Sequence, residues 1–462
     1  MERNRAYSVL ELIGWGKYNF IAFLQCGFVI PKQAWAIFDY WYESMAFIVD
    51  GVIEEWDLST LQAGIIGSFI QIGLLFGSVF WAWVGGKYGR MHAFKTCIII
   101  VSVASILLTV SPNFYVLSVA LTILGFGIAG ELSLPSTVFY EFCPPSKRFY
   151  ITLMTLFQGF GAILVSLIAY LVSLFNNTGF HNWRIIVSAG AVVGIISMIF
   201  RFFMHETPAF LITQNKQMAA DDVLNIISLK NTGKILGKIE NSSSLNPNEF
   251  TQEEEEETPK QTENIAENVT RLFKPPLLKV TIILSLVYTL VSYSYSGYLY
   301  FMPEFLGEFS TSTAYMIILI QQSSGIPGVI LGTYLVETRC GRKYTTLIFF
   351  ILTGLLILIF SFTTSFWFIL IASSISYMFI YLAYASMFTI GPESFPTSVR
   401  SSGSGVTVLL SRIGGISSPI ITGYILELPN GVFLSLLSLC ITFCVAGVFV
   451  LFLKETRGQK TG

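Results

Sequence analysis

Two octets decide how this chain is read: EFCPPSKR, Glu141 to Arg148, and ESFPTSVR, Glu393 to Arg400. Both follow the pattern E-x-x-P-x-x-x-R, and corresponding positions lie 252 residues apart. YGRM (Tyr88 to Met91) and CGRK (Cys340 to Lys343) share a Gly-Arg core at the same offset. A proline stop and an interfacial arginine at an ordinary helix end would account for one octet. They do not account for two motif pairs with one spacing. The chain therefore reads as an internal duplication, in which residues 1–205 and 279–462 are two versions of one unit.

Composition says what kind of unit this is. With 53% hydrophobic and only 12% charged residues in 462, the chain has more apolar surface than a soluble core of that length can bury. Apolar runs of 18 residues or more, each able to cross about 30 Å of hydrocarbon as a helix, recur along its length. Twelve spans are expected, at about 32–53, 61–84, 93–111, 114–139, 150–174, 183–203, 279–303, 312–335, 344–361, 364–389, 402–426 and 430–453. The expected fold is thus an all-α membrane protein of twelve transmembrane helices, arranged as two six-helix parallel repeats.

The charges are sorted by side. Short loops on one side carry Lys87, Arg90, Lys95, Lys147, Arg148, Arg339, Arg342, Lys343 and Arg400, whereas the opposite loops hold Arg184 among acidic and polar residues such as Asp50, Glu54, Glu55 and Asp57. The basic side is expected to be cytoplasmic, with both termini there because the span number is even. The apolar run from Phe20 to Ile30 lacks a small-residue cleavage site after it, so the first span is expected to serve for insertion. Between the repeats, residues 206–278 lose apolar periodicity and include NSSSLNPNEFTQEEEEETPKQTEN, which predicts a largely disordered cytoplasmic linker with short helices at Pro208 to Leu229 and just before Lys279.

Each half thus supplies six spans running in the same direction, an arrangement that resembles the major facilitator transporters. GGKYGRMHAFK (Gly85 to Lys95) and ETRCGRKYT (Glu337 to Thr345) resemble the two copies of that superfamily's cytoplasmic gate motif, an acid followed by Gly-Arg-basic. In the second copy the nearest acid is Glu337, followed by Arg339 and Arg342; in the first, Gly86 stands where the acid is expected and Met91 where a base is expected, so that latch reads as degraded. The octets match the loops after spans four and ten, while HETPAFL (His205 to Leu211) and KETRG (Lys454 to Gly458) match the segments after spans six and twelve. These motifs resemble the branch of sugar porters, organic ion transporters and synaptic-vesicle-2-related proteins. GFGIAG (Gly125 to Gly130), IGPESFPTSVRSSGSG (Ile390 to Gly405) and SRIGGISSPI (Ser411 to Ile420) are most similar to the vesicle-related group. The resemblance implies a cytoplasmic gate built from Arg90, Glu141, Arg148, Glu337, Arg339, Arg342, Glu393 and Arg400, holding helix ends by charge-assisted hydrogen bonds.

Candidate solute residues come from charges inside the apolar spans. Asp39 and Glu43 are four residues apart and share a face of the first span. Asp39 lies about 16 Å below Asp50 at 1.5 Å per residue, near mid-bilayer. A carboxylate there costs several kcal/mol unless it faces water, meets a cation or carries a proton, and a carboxyl that loads a proton on one side and releases it on the other is what proton coupling requires. Glu131 in span four and Arg412 in span eleven share this depth. Arg412 suits an anionic solute or answers an intramembrane acid, with Asp39 and Glu131 as alternative structural partners. Tyr293, Tyr295 and Tyr298 of span seven and Tyr381 and Tyr384 of span ten offer ring faces and hydroxyls for an organic ion or aromatic solute. Pro31, Lys32 and Gln33 interrupt the first apolar run, which leaves open whether the span starts there or carries an insertion.

The expectation is a transporter of a small organic solute by alternating access, with proton coupling through Asp39 assisted by Glu43 or Glu131. The alternatives are a facilitative sugar porter and a non-transporting receptor or vesicle scaffold whose acidic linker binds a partner. The membrane is either the plasma membrane or that of an intracellular vesicle, and the protein is expected to act as a monomer. Six scattered cysteines and the isolated His92, His181 and His205 show no metal-ligand spacing, and no phosphate-cradling loop or nucleophile with a base at hand is present. No enzyme activity, cofactor, metal or nucleic acid is expected.

Overall fold

The computed structural model describes residues 2–27, 35–147, 150, 156–175, 181–202, 206–214, 216–235, 265–336, 338, 341–363, 365–396 and 399–455. Among these, regular structure is helical throughout. Two short helices, α1 (Glu2–Ile13) and α2 (Lys17–Gly27), precede six long ones: α3 (Trp35–Trp56), α4 (Thr60–Tyr88), α5 (Arg90–Thr109), α6 (Phe114–Phe142), α7 (Leu156–Phe175) and α8 (Asn182–Arg201). Three connecting helices follow, α9 (Pro208–Thr213), α10 (Gln217–Thr232) and α11 (Ile265–Leu272). The second set is α12 (Leu277–Tyr300), the single turn α13 (Met302–Phe305), α14 (Thr311–Ser323), α15 (Gly325–Val336), α16 (Gly341–Phe360), α17 (Phe366–Glu393), α18 (Arg400–Leu426) and α19 (Gly431–Val450).

Eleven described stretches are long and apolar enough to cross a membrane, with α14 and α15 together forming one of them. The twelfth span, α3, has the length at 22 residues. It falls short in hydropathy because it carries Asp39, Glu43, Asp50, Glu54 and Glu55. Such a helix is tolerated only where neighbours enclose it, and α3 is buried almost all round between Ala36 and Val52, packed on α4, α6, α7, α8 and α12. It is described from Trp35 onward, and the question raised by Pro31 to Gln33 lies outside the described residues.

The helix ends are written locally. Ser59 and Gln62 form a reciprocal capping box at the start of α4, and Asn113 and Ser310 cap α6 and α14 by accepting from Val116 N and Thr313 N. The eighth span is interrupted at Ser324, where Pro327 has no N–H to offer the Ser323 carbonyl. The Ser324 hydroxyl lies within 2.7 Å of the Ser374 carbonyl, tying the break to α17. Close crossings rest on glycine: a Cβ on Gly125 would run into the Ile70 carbonyl and one on Gly414 into the Thr289 carbonyl, so α4 meets α6 and α12 meets α18 backbone to backbone.

The two sets of helices meet along α4 with α18 and α7 with α14. At the acidic end, Thr60 Oγ1 donates to Gly423 O at 2.8 Å, Leu61 N to Glu427 Oε1 at 3.1 Å, Ser68 Oγ to Ile416 O at 2.7 Å and Tyr315 OH to Asp50 Oδ2 at 2.7 Å. The molecule is therefore closed toward its acidic side.

One buried ion pair belongs to the first set alone. Arg201, at the end of α8, donates through Nη1 and Nη2 to the two oxygens of Glu131 in α6, both at 2.5 Å, and both side chains are 0% exposed. Cys97 Sγ adds a contact at 3.1 Å, and the guanidinium lies 4.0 Å from the Phe94 ring centroid. Breaking such a pair leaves one charge uncompensated. Arg201→Met is therefore expected to destabilise the protein by about 3–5 kcal/mol, while Glu131→Leu combined with Arg201→Met recovers most of that loss. Thermal unfolding of the purified protein in detergent distinguishes the two.

Candidate functional site

The site is built where α3 faces the second set of helices. Glu43 is completely buried, and its donors all come from that second set: Tyr295 OH and Tyr377 OH (3.0 Å) on one oxygen and Gln322 Nε2 (2.7 Å) on the other. One turn away along α3, Asp39 Oδ2 accepts a single longer bond of 3.3 Å from Tyr381 OH. The hydroxyls of Tyr295, Tyr377 and Tyr381 lie 3.4 Å apart in sequence, forming a chain from one carboxylate to the other. Tyr384 packs edge-on against Tyr295 at 5.6 Å, and Tyr42 stacks parallel to Tyr295 at 5.9 Å.

A second polar knot lies beside the first. Gln71 Nε2 contacts Tyr42 OH (3.0 Å), Tyr300 OH (3.0 Å) and Ser296 Oγ (3.2 Å), while Gln71 Oε1 is buried without a donor. Arg412 of α18 is buried three residues before Gly415, where an added Cβ would run into the Gln71 side chain. Its Nε has no hydrogen-bond partner, and among the described residues no carboxylate lies within ion-pair distance of it.

The structure thus brings together Asp39, Glu43, Tyr295, Tyr381, Tyr384 and Arg412. Glu131 stands apart, held by Arg201 rather than Arg412. Tyr293 also turns away: two residues from Tyr295 is about 200° around a helix, and its side chain lies by Ser438 and Thr422. Tyr298 reaches Ser376 Oγ at 3.4 Å on the face toward α17. The sequence reading missed Tyr377, Gln322, Gln71 and Tyr42. Tyr377 was findable, being one turn before Tyr381 on the same face; Gln322 sits in an ordinary-looking QQSS run.

At the basic ends, motifs read separately in the sequence prove to be parts of one unit. Arg90 Nε lies 3.4 Å from Glu141 Oε1, and Arg342 Nη1 lies 3.0 Å from Glu393 Oε2, the same pair one repeat later. The octet acid answers the gate arginine, so the absence of an acid at Gly86 does not leave Arg90 alone. The segments after spans six and twelve complete the unit. Glu206 accepts from Met91 N at 3.1 Å, and Glu455 accepts from Arg342 N (3.1 Å) and Lys343 N (3.0 Å), each carboxylate capping a helix N-terminus. Gly89 and Gly341, at φ 114° and 66°, make the turn that exposes those N–H groups. Arg342 and Lys343 consequently begin α16 instead of lying in a loop. Among the described residues Arg400 Nε and Nη2 find no hydrogen-bond partner, and Arg148, Glu337 and Arg339 lie outside the described residues. Both ion pairs are formed within a half, not between halves.

Twelve spanning helices in two like sets, eleven of them strongly apolar and packed around a buried polar cluster, define a transporter of the major facilitator type. The family model described as "Sugar (and other) transporter" matches residues 27–461, and the chain belongs to that family. It is 24% identical to a niacin transporter, NiaP, of Acinetobacter baylyi, over 90% of this chain and 90% of that protein. It is also 24% identical to the synaptic vesicle 2-related protein of Xenopus laevis, over 97% of this chain and 81% of that one. The fold matches the xylose transporter XylE from E. coli in its inward open conformation, with a TM-score of 0.70 and 15% identity over 96% of this chain and 97% of that chain.

The repeated pair makes a direct test. Arg342→Glu and Glu393→Arg are each expected to lower the melting temperature by a few degrees, and the charge-swapped double variant to regain part of the loss, with a coupling energy of about 0.5–1 kcal/mol.

Proposed function

We propose that the protein carries a small organic ion across the membrane by alternating access, coupled to protons through the acidic pair of α3. The supporting observation is that Glu43 is held entirely by donors from the other half. When the halves rock apart those bonds must break, and an uncompensated carboxylate in a low-dielectric cleft is costly. A proton on Glu43 removes the charge from its three hydrogen bonds and lowers the cost of parting them. Loading and unloading that proton from opposite sides then ties the rocking motion to the proton gradient. Asp39, one turn away and joined to Glu43 through the tyrosine hydroxyls, is the second acid of the pair. Glu131 takes no part in this scheme, because its charge is permanently answered by Arg201.

In this reading residues 1–205 and 279–462 move as two bodies, and 206–278 is the tether between them. The basic side faces the cytoplasm, and the basic-side ion pairs hold helix ends while the acidic seam opens. A neutral sugar as solute would leave both Asp39 and Arg412 without a counter-charge, which weighs against the sugar-porter alternative. The similarity to a niacin transporter supports an organic ion as cargo.

Proteoliposomes offered labelled organic cations, anions and sugars, with and without an imposed pH gradient, test the reading. Wild-type protein is expected to accumulate an organic ion only with the gradient. Glu43→Gln is expected to keep solute exchange at equilibrium but lose gradient-driven accumulation by roughly tenfold or more, and Asp39→Asn to lower both. Gradient-driven uptake unchanged in both variants would remove the coupling role.

A further inference from the structure

At the acidic end of the seam the two sets of helices meet again, away from Glu43. A cavity of about 170 Å³ is lined by Asp50 of α3 and, from the other set, by Glu304 of α13 and by Thr311 and Tyr315 of α14. α13 packs against α3, and Tyr315 OH donates to Asp50 Oδ2 at 2.7 Å, so one hydrogen bond bridges the seam at the cavity wall. No cation answers the two carboxylates. Among the described residues neither lies within ion-pair distance of a base, and the cations of this face, Arg184 and His181, are turned to Glu55 at 2.6 and 4.0 Å. The helices α4, α6, α7 and α12 that also pack on α3, and α15 and α17 that pack on α14, bring no charge to this end. The other charges on and beside α3 and α13 here are exposed acids, Glu54, Asp57 and Glu308.

We infer that Asp50 and Glu304 form a proton-operated latch between the halves: one proton shared by the pair holds the acidic side shut, and its loss drives the two sets apart there. The inference rests on the two sets moving as bodies and on no property of the solute. Two carboxylates in one small cavity without a cation cannot both ionise cheaply, so the pair keeps a proton that either acid alone would release. Glu304 is partly buried, and desolvation holds its carboxyl above the usual carboxylate range. With one proton bound, the cavity carries a single negative charge, and Asp50 still accepts from Tyr315. When that proton leaves, two anions face each other across the seam. Water must then enter to screen them, which widens the cavity and strains the bond from Tyr315. The closed end therefore binds the proton more tightly than the open end, so closure is favoured at low pH and lost as pH rises. Glu43 acts with the opposite sign, because its proton eases the parting of the halves. The position of the cavity at the acidic end makes the latch answer to the pH of that side.

The test uses the full chain in lipid nanodiscs, its native cysteines replaced by serine, with spin labels at Tyr115→Cys and Phe362→Cys, which are exposed at the acidic ends of the first and second sets. Electron-resonance distances are read from about pH 5.5 to about pH 8.5, a range that spans a raised carboxyl. The long-distance population is expected to grow roughly threefold or more with rising pH. Glu304→Gln and Asp50→Asn should each keep the short distance at high pH, while Glu43→Gln should leave the closing response to acid in place. Hydrogen exchange of the unlabelled wild-type chain over residues 57–64 and 303–315, corrected for the chemical effect of pH, gives the same reading without any cysteine replacement: exchange should be slower at low pH. Gly64→Trp supplies the control, because even a Cβ on Gly64 would run into the Pro419 carbonyl and force this end open. A pH-independent distance in a chain that Gly64→Trp does widen overturns the latch and leaves the two-body reading standing. So does opening on acidification, or a response in Glu304→Gln and Asp50→Asn equal to that of wild type. If Gly64→Trp leaves the distance unchanged, the two-body reading fails and the latch with it.

Discussion

A charge inside a bilayer-spanning protein needs a partner, and where each partner comes from separates the parts of this molecule. Glu131 and Arg201 answer each other within one set of helices and can stay paired whatever the halves do. Glu43 is answered by neutral hydroxyl and amide groups of the opposite set, so its bonds survive only while the halves meet. Among the described residues, Asp39 accepts one long hydrogen bond and Arg412 Nε has no acceptor. The same physical demand thus yields a brace within one set and a seam between the two, according to whether the partner is intrinsic or across the interface.

The basic ends follow a separate logic, repeated in each half. A glycine with positive φ ends one connection and opens a helix whose free N–H groups take a carboxylate, Glu206 in one half and Glu455 in the other. The arginine beside that glycine takes a second carboxylate, Glu141 or Glu393. Three short motifs spread over some 120 residues in each half are therefore one electrostatic unit, and the two that pair arginine with acid keep one spacing between the copies. Because the unit closes within a half, it stiffens each body without joining the two.

The joining is done elsewhere, along the acidic ends of α4 and α18 and down to the middle of α3. Glycine and serine on these helices let backbones approach and let hydroxyls reach carbonyls of the opposite set, contacts that are individually weak and easily exchanged. The broken eighth span, pinned through Ser324 to α17, brings Gln322 to Glu43 at the level where the seam ends.

The number of the spans, the helical class and the repeat were legible in the chain itself, because hydropathy, capping and motif spacing are local properties that a helix in lipid obeys almost alone. α3 was recognised as a span despite its five carboxylates because its apolar length was still readable between them. The acids of the octets were visible as motif members, but their pairing with Arg90 and Arg342 was not, since it depends on which helix ends the bundle sets side by side. The same holds for the buried polar cluster: Asp39, Glu43 and Arg412 could be singled out by depth, yet depth also singled out Glu131, and only packing placed it against Arg201. Tyr377, Gln322 and Gln71 acquire meaning solely from what they face. Which groups lie within the bilayer is a matter of solvation, and sequence determines it; which charge meets which is decided over a few ångströms between residues hundreds of positions apart, and that belongs to tertiary structure.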